Sequence, residues 1–309
     1  MAGYIFRRIL QAVPVLLGTT FLIYFMVFAM PGDPLLALFG DKTPNPALLE
    51  RLRAEYHLDQ PFIVQYFLYI GGLFQGNLGV AFNGEQVSDI LLRTFPVTAR
   101  LAILALFFQS VAGILVGLVS GLRKGKLFDS SALVVSLILI SLPIFVIAFV
   151  AQYVFGVQLG LARTTVGAGA PIQDLILPAL VLASVSFAQI VRLTRSSVIE
   201  TAGLDFVRTA YSKGLSGRRI VPVHILRNSL IPVVTFLATD FGVLLVGATI
   251  TEGIFNVPGV GNTLFRAIQQ GEGPTVVSFV TVMTLLYLVV NLVVDLLYGL
   301  LDPRIRYVK

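Results

Sequence analysis

The sequence is short of the residues on which metal sites, disulfides and soluble surfaces depend. It contains no cysteine and no tryptophan among its 309 residues. Without thiols the chain forms neither disulfides nor thiolate metal sites. Two histidines, His57 and His224, are too few for a histidine-rich metal centre, so we expect no bound metal. Charged residues make up 12% of the chain, whereas soluble domains carry about 25%. This shortage predicts a protein whose main solvent is a lipid bilayer.

A phosphate-binding motif is also missing. The only Gly-Lys pair, Gly125-Lys126, is followed by Leu127 and lacks the upstream glycine of G-x-x-x-x-G-K-[ST]. The chain therefore has no ATPase motif of its own. We expect no enzymatic activity and no cofactor bound by this chain.

Long apolar segments are abundant, and they predict an all-α integral membrane protein with six transmembrane helices. Each segment is near or above the roughly 20 residues that a membrane-spanning helix needs. Arg7 and Arg8 precede the first segment, which is longer than a signal-peptide core, so we expect an uncleaved anchor. The third is long enough to tilt or to kink at Pro143. The segments cover roughly residues 9–30, 97–121, 130–157, 176–193, 231–251 and 276–301.

The lysines and arginines predict the orientation of these helices. About two thirds of the 22 basic residues fall on one side if both termini lie in the cytoplasm. The net charge of +6 is then a topology signal, and no nucleic-acid partner is needed to explain it. The predicted organisation is an N-terminal helix (1–30), a large extracytoplasmic segment (31–96) and a five-helix core (97–309). Within the outer segment, residues 45–58 have helical spacing.

The core contains a basic cytoplasmic loop at residues 196–229. We expect two short helices there, the first capped by Asp205 and ended by Gly214 in a left-handed conformation. Ser216 would cap the second helix, and Pro222 suits a first helical turn. Apolar residues on a loop with no membrane to enter indicate a partner surface; they are Phe206, Val207, Ala210, Tyr211, Leu215 and Ile220.

Polar residues inside the apolar segments are candidates for a path through the membrane. Asp240 is the deepest ionisable side chain, and Thr239, Gln109 and Gln152 are further candidates. Asp295 lies near the inner end of the last segment, where a structural hydrogen bond is the favoured role. The glycines of one helix face, Gly113, Gly117 and Gly121, predict a close helix–helix contact.

The basic loop resembles the ATPase-coupling loop of the oligopeptide/dipeptide ABC-importer permeases. Its "VRTAYSKGLSGRRI" is similar to that family's form of the loop, with Arg208-Thr209-Ala210 where the wider superfamily has Glu-Ala-Ala. The stretches "YIFRRILQAVPVLLGTTFLIYF", "PGDP", "TEGIFNVPGVGNTL" and "LVVNLVVDLLYGLLDPRIR" extend the resemblance along the chain. Asp240 within a span and Pro222 in the coupling region depart from the pattern, which leaves their local roles open.

The resemblance implies a type I ABC-importer permease subunit in a bacterial cell membrane. Such a subunit forms half of a translocation pathway beside a second permease, within membrane lipid. It rests on two cytoplasmic ATPase subunits, which use ATP and Mg²⁺, and receives peptide from an extracytoplasmic binding protein. The resemblance further implies that the loop docks onto an ATPase, through Arg208, Thr209, Ala210, Tyr211, Lys213, Gly214, Leu215, Ser216 and Arg218.

Two other classes fit parts of the sequence. A proton-coupled secondary carrier would use Asp240 and Asp295 as relay groups, but the sequence has no detectable inverted repeat. An intramembrane serine protease would use Ser216 of "GLSG", yet this serine lies in the basic loop, only eight positions from His224. Whether transport depends on ATP or on a proton gradient separates the ABC importer from the proton-coupled carrier.

Overall fold

A computed structural model of the chain describes residues 2–29, 46, 50, 53–54, 57–81 and 84–301. Their secondary structure is helical, apart from one isolated β-bridge between Val80 and Gln86. Most of the helical stripe predicted for residues 45–58 lies outside the described residues. In chain order the helices are α1 Ala2–Phe28, α2 Phe62–Phe74, α3 Val87–Leu122, α4 Leu127–Ser141, α5 Ile144–Ala151, α6 Ile172–Ala202, α7 Asp205–Ser212, α8 Gly217–Ile220, α9 Arg227–Phe255, α10 Val260–Gln270 and α11 Gly273–Leu301. Two π-helical segments, Gln152–Gln158 and Val221–Leu226, follow α5 and α8.

The predicted spans are confirmed in number and approximate position. Within the described residues, α1, α3, α6, α9 and α11 are long and apolar enough to cross a membrane. A sixth span is formed if Leu127–Ser141 and Ile144–Gln158 count as one broken segment. This bent pair turns by 105° at the predicted proline, where Leu142 is extended and Pro143 precedes α5. Proline supplies no N–H and disfavours helical geometry in the residue before it.

Two helices are longer than the apolar pattern predicts. The helix expected at 97–121 begins ten residues earlier and passes through Pro96. Val87, Ile90 and Leu91 in its first turns are buried in a core cluster, so tertiary packing extends the helix beyond its most hydrophobic part. Helix α6 similarly runs through Pro178.

The chain divides into two compact units, and the division falls within α3. One unit comprises residues 1–98 and 258–309. In it α1 packs on α11, and a cluster of Tyr24, Tyr66 and Val277 joins these helices to α2. The hydroxyl of Tyr69 donates to Thr281 Oγ1 (2.7 Å), and the Ser278 hydroxyl donates to the Leu78 carbonyl (2.6 Å). A short apolar helix from the predicted outer segment is therefore integral to this unit.

The second unit, residues 99–257, is organised around α6. Helices α4, α5 and α9 each pack on it. Helix α3 also approaches α6 closely, because Gly113, Gly117 and Gly121 face Ile190, Thr194 and Val198 of α6, respectively. The predicted glycine contact is thus confirmed. A side chain at any of the three glycines would occupy space that α6 already fills.

This contact predicts the effect of adding one methyl group. In Gly117→Ala the new Cβ would lie 2.6 Å from Thr194 Cβ and 2.7 Å from the Val191 carbonyl oxygen. Because a backbone atom cannot move aside cheaply, we expect a stability loss of about 1–3 kcal/mol. Thermal unfolding in detergent measures it. Gly18→Ala is the control, since nothing lies within 4 Å of its Cβ position. Equal melting temperatures for the two variants would contradict the close contact.

Candidate functional site

Helices α7 and α8 form a compact turn of basic character, called here the basic hairpin (residues 205–220). It contains four basic side chains and one acidic side chain. Gly214 ends α7 with φ +75°, the predicted left-handed conformation. Its N–H donates to the Tyr211 carbonyl (2.9 Å), and the N–H of Leu215 donates to the Ala210 carbonyl (3.3 Å). This pair of bonds is the Schellman motif, which satisfies carbonyls left free at a helix end.

The predicted caps of the hairpin are partly wrong. Asp205 is the first helical residue of α7, and Leu204 occupies the capping position. Ser216 does precede α8, but its side chain makes no capping hydrogen bond. Pro222 lies at the start of the following π-helix, in the first-turn position that the sequence predicts.

One face of the hairpin is fixed to its own unit. Val207, Ala210 and Ile220 are buried in a cluster with Val198 of α6 and Ile225. The prediction that these three apolar residues form a partner surface is therefore wrong, because they are buried against the carboxyl-terminal part of α6. Ala210 belongs to this anchor, and Leu215 packs at its edge, half-buried.

The opposite face is exposed. Phe206 and Tyr211 are 42% and 53% exposed, although aromatic side chains are usually covered in folded proteins. The four basic side chains of the hairpin are exposed as well, and Arg208 makes a loose ion pair with Asp205 (3.6 Å). Of the residues predicted to dock an ATPase, the exposed ones are Arg208, Thr209, Tyr211, Lys213, Gly214, Ser216 and Arg218.

A buried ion pair lies beside the hairpin anchor. Asp129 in the first turn of α4 accepts two bonds from Arg195 of α6, from Nε (2.5 Å) and Nη2 (2.7 Å). It also accepts from the Ser120 hydroxyl and from the Gly125 N–H (2.8 Å). The Asp129 side chain is 3% exposed. A single carboxylate thus joins α3, α4 and α6, and its partner Arg195 is three residues from Val198 in the hairpin anchor.

The four predicted pathway residues occupy different environments. Asp240 of α9 accepts from Gln109 Nε2 (2.5 Å) and from the Ser186 hydroxyl (2.7 Å), and all three side chains are buried. Gln152 donates to the backbone carbonyl of Thr164 (2.5 Å), a contact that orders the segment after the π-helix. Thr239 is exposed on α9. The assignment of these residues to a pathway stays a prediction.

Residues of the two alternative classes can also be located. Ser216 is exposed. Within the part of the chain that the structure describes, no hydrogen bond joins the Ser216 hydroxyl to the His224 ring. The nucleophile–base pair that a serine protease needs is therefore not assembled here. The Asp295 side chain lies outside the described residues. No group of three or more potential metal ligands occurs in the described part of the chain.

The sequence does not predict three contributors to these sites, Asp129, Arg195 and Ser186. Asp129 and Arg195 are 66 positions apart, and in the sequence Arg195 is only one of the basic residues that indicate orientation. One clue was available: Asp129 is an isolated acid that follows the basic run of Arg123, Lys124 and Lys126. Ser186 carried no signal, since a lone serine in an apolar span usually bonds to its own helix.

Comparison with protein families gives two matches that together span nearly the whole chain. Residues 113–307 match the model of the binding-protein-dependent transport system inner membrane component. Residues 1–102 match the N-terminal model of the corresponding membrane component.

Curated relatives match along their full length. The di/tripeptide transport system permease protein DppB of Pseudomonas aeruginosa is 37% identical, with 99% of both chains covered. The dipeptide transport system permease protein DppB of Escherichia coli K12 is 35% identical, with 100% of both covered. A putative peptide transport system permease protein of Brucella abortus is 35% identical over 99% of this chain and 100% of its own.

The buried ion pair predicts a large effect of one neutral substitution. Asp129→Asn leaves Arg195 without its charged partner, and breaking a buried pair costs about 3–5 kcal/mol. We expect the lower end, since the Arg195 side chain is 22% exposed. Thermal unfolding of the purified variant measures the loss.

The control substitution is in the first turn of α6, the helix that carries Arg195. Asp174 pairs with Arg163 at 3.0 Å, but the Arg163 side chain is 68% exposed, so water can solvate the arginine left behind in Asp174→Asn. We expect a clearly smaller loss there. Equal losses in the two variants would contradict the greater stabilisation expected of the more buried Asp129–Arg195 pair.

Proposed function

The chain belongs to the family of inner-membrane components of binding-protein-dependent transport systems, and from this premise we propose that it is half of the translocation pathway of an ATP-driven importer of short peptides. It is a multi-pass protein of the inner membrane, with the apolar helices that such a protein needs. The expected resemblance to peptide-importer permeases is confirmed by relatives that carry that name over their full length.

Membership of this family implies a substrate-binding protein and ATPase partners. The chain itself is a permease subunit and not a catalyst. In our proposal it pairs with a second permease and rests on two cytoplasmic ATPase subunits, which bind ATP and Mg²⁺. Peptide is the proposed cargo because the relatives named above are permeases of dipeptide, di/tripeptide and peptide transport systems.

The observation that carries the mechanism is the two-sided basic hairpin. Its buried side is anchored on α6 through Val207 and Ile220, and its exposed side presents Tyr211 among basic residues. An ATPase that moves this exposed side would pull directly on a spanning helix. Aromatic and basic side chains are the residues that dominate binding energy at protein interfaces, whereas charge complementarity sets register and association rate.

The energy source tests the function as a whole. The complete complex, reconstituted in vesicles with ATP and Mg²⁺ on the ATPase side, should accumulate a labelled dipeptide supplied on its binding protein. Uptake should stop when a non-hydrolysable ATP analogue replaces ATP and should persist when a protonophore is added. Uptake driven by a proton gradient without ATP would instead support the secondary carrier.

The left-handed residue of the hairpin tests the coupling. Gly214→Val places a β-branched residue at φ +75°, a conformation that such residues avoid at a cost of about 1–2 kcal/mol or more. We expect ATP hydrolysis to continue while uptake falls several-fold, because the exposed face loses its shape. The measurement is the ratio of ATP hydrolysed to dipeptide transported.

The matched variant at the same position is Gly214→Asn. Asparagine is similar in volume to valine but tolerates the left-handed conformation, and open space surrounds the Cβ position. Dipeptide uptake should therefore be highest with glycine at position 214, lower with asparagine and lowest with valine. Full coupling in the valine variant would argue against a lever function of the hairpin.

A further inference from the structure

A buried carboxylate, Asp240, lies near the middle of α9 with no cationic side chain bonded to it in the part of the chain that the structure describes. Asp240 of α9 is 6% exposed, Ser186 of α6 is 7% exposed and Gln109 of α3 is fully buried. Each lies near the middle of its helix, and Asp240 is about 20 Å from the start of α9 at the helical rise per residue. The cluster is therefore expected near the centre of the bilayer.

The cluster has more acceptors than donors. The Asp240 carboxylate receives only two neutral donors, the Gln109 amide and the Ser186 hydroxyl, and no ionic partner occurs among the described residues. The Gln109 carbonyl oxygen is buried and has no hydrogen-bond partner. A charge at this depth is costly unless it is paired, and a buried acceptor without a donor adds to that cost. What the cluster lacks is a cationic donor.

A groove leads from the surface of the second unit to this cluster. Its volume is about 330 Å³, near the lower limit for ligand pockets. Apolar residues of α4, α5, α6 and α9 line it, and it includes Leu142 at the break of the bent pair. Ser186 is the one polar side chain among its lining residues in the described part of the chain. The same hydroxyl that borders the groove donates to Asp240.

We propose that this groove binds a primary ammonium group together with the apolar side chain next to it, as found at the amino-terminal residue of a short peptide. The proposal rests on the proposed function and deepens it. Because the Ser186 hydroxyl gives its proton to Asp240, its lone pairs remain free to accept from the ammonium. Asp240 supplies the balancing charge, and the Gln109 carbonyl is a second acceptor nearby.

The absence of cysteine makes a direct binding test possible. Val185→Cys introduces a thiol into the groove at a position that is 48% exposed. In the purified complex without its binding protein, the modification rate of this thiol is followed by the mass of this chain. Leu-Leu should slow modification several-fold, whereas N-acetyl-Leu-Leu, which lacks the ammonium, should not. Val150→Cys, 56% exposed on α5 outside the groove, should react at the same rate with either peptide.

The carboxylate is tested in the same background. Asp240→Asn keeps the size of the side chain and should weaken protection by Leu-Leu about tenfold, since the negative charge that balances the ammonium is lost. Asp240→Glu should retain part of it. If Asp240→Asn does not assemble, Ser186→Ala removes the intermediate hydroxyl and should weaken protection in the same direction. Undiminished protection in these variants, or equal protection by the acetylated peptide, would overturn the proposal. Protection by sodium or potassium chloride alone would overturn it in favour of an inorganic cation.

Uptake separates this inference from the proposed function. If the wild-type complex with its binding protein and ATP does not import Leu-Leu, the peptide-importer function itself fails. If it does, and Asp240→Asn imports Leu-Leu at the wild-type rate with the wild-type ATP ratio, only the ammonium site fails. We expect uptake to fall while ATP hydrolysis stimulated by the loaded binding protein remains, since the substitution is far along α9 from the basic hairpin.

Discussion

The contact between α3 and α6 is the constraint on which the second unit depends. Gln109, Gly113, Gly117 and Gly121 follow one another at four-residue intervals on α3. Ser186, Ile190, Thr194 and Val198 do the same on α6. One stripe of each helix therefore holds the buried Asp240 cluster at one end and the hairpin anchor at the other. The distance between these ends is about 18 Å along α6. The close contacts of the α3 glycines with α6 lie between them.

This arrangement connects the basic hairpin to the Asp240 cluster through one packed helix interface. A force on the basic hairpin acts on Val198 through the buried side chains of α7 and α8, and the Asp129–Arg195 pair ties the same region to α4. Close-packed interfaces deform little and tend to switch between discrete arrangements. A displacement of the hairpin would therefore be transmitted to Ser186 with little decrease in its amplitude.

The membrane class, the spans and the hairpin could be predicted from the sequence because each depends on local patterns. Hydrophobic length located the spans, and the left-handed Gly214 followed from its place after a helical stretch. The start of α3 could not be predicted, because Val87, Ile90 and Leu91 are held by residues far along the chain. For the same reason the sequence predicts a partner surface at Val207 and Ile220. Composition does not distinguish an apolar residue that packs within its own chain from one that binds a partner protein. The hydrogen-bond partners of Asp129 and Asp240 depend on which helices pack together, and no local sequence pattern specifies that packing.

The break between α4 and α5 has an electrostatic consequence of its own. Every helix carries a partial negative charge at its carboxyl end and a partial positive charge at its amino end. At Leu142 and Pro143 the two opposite ends abut, so their fields largely cancel at distances beyond a few residues. The interruption can therefore lie among apolar residues and does not require a neighbouring ion to balance it.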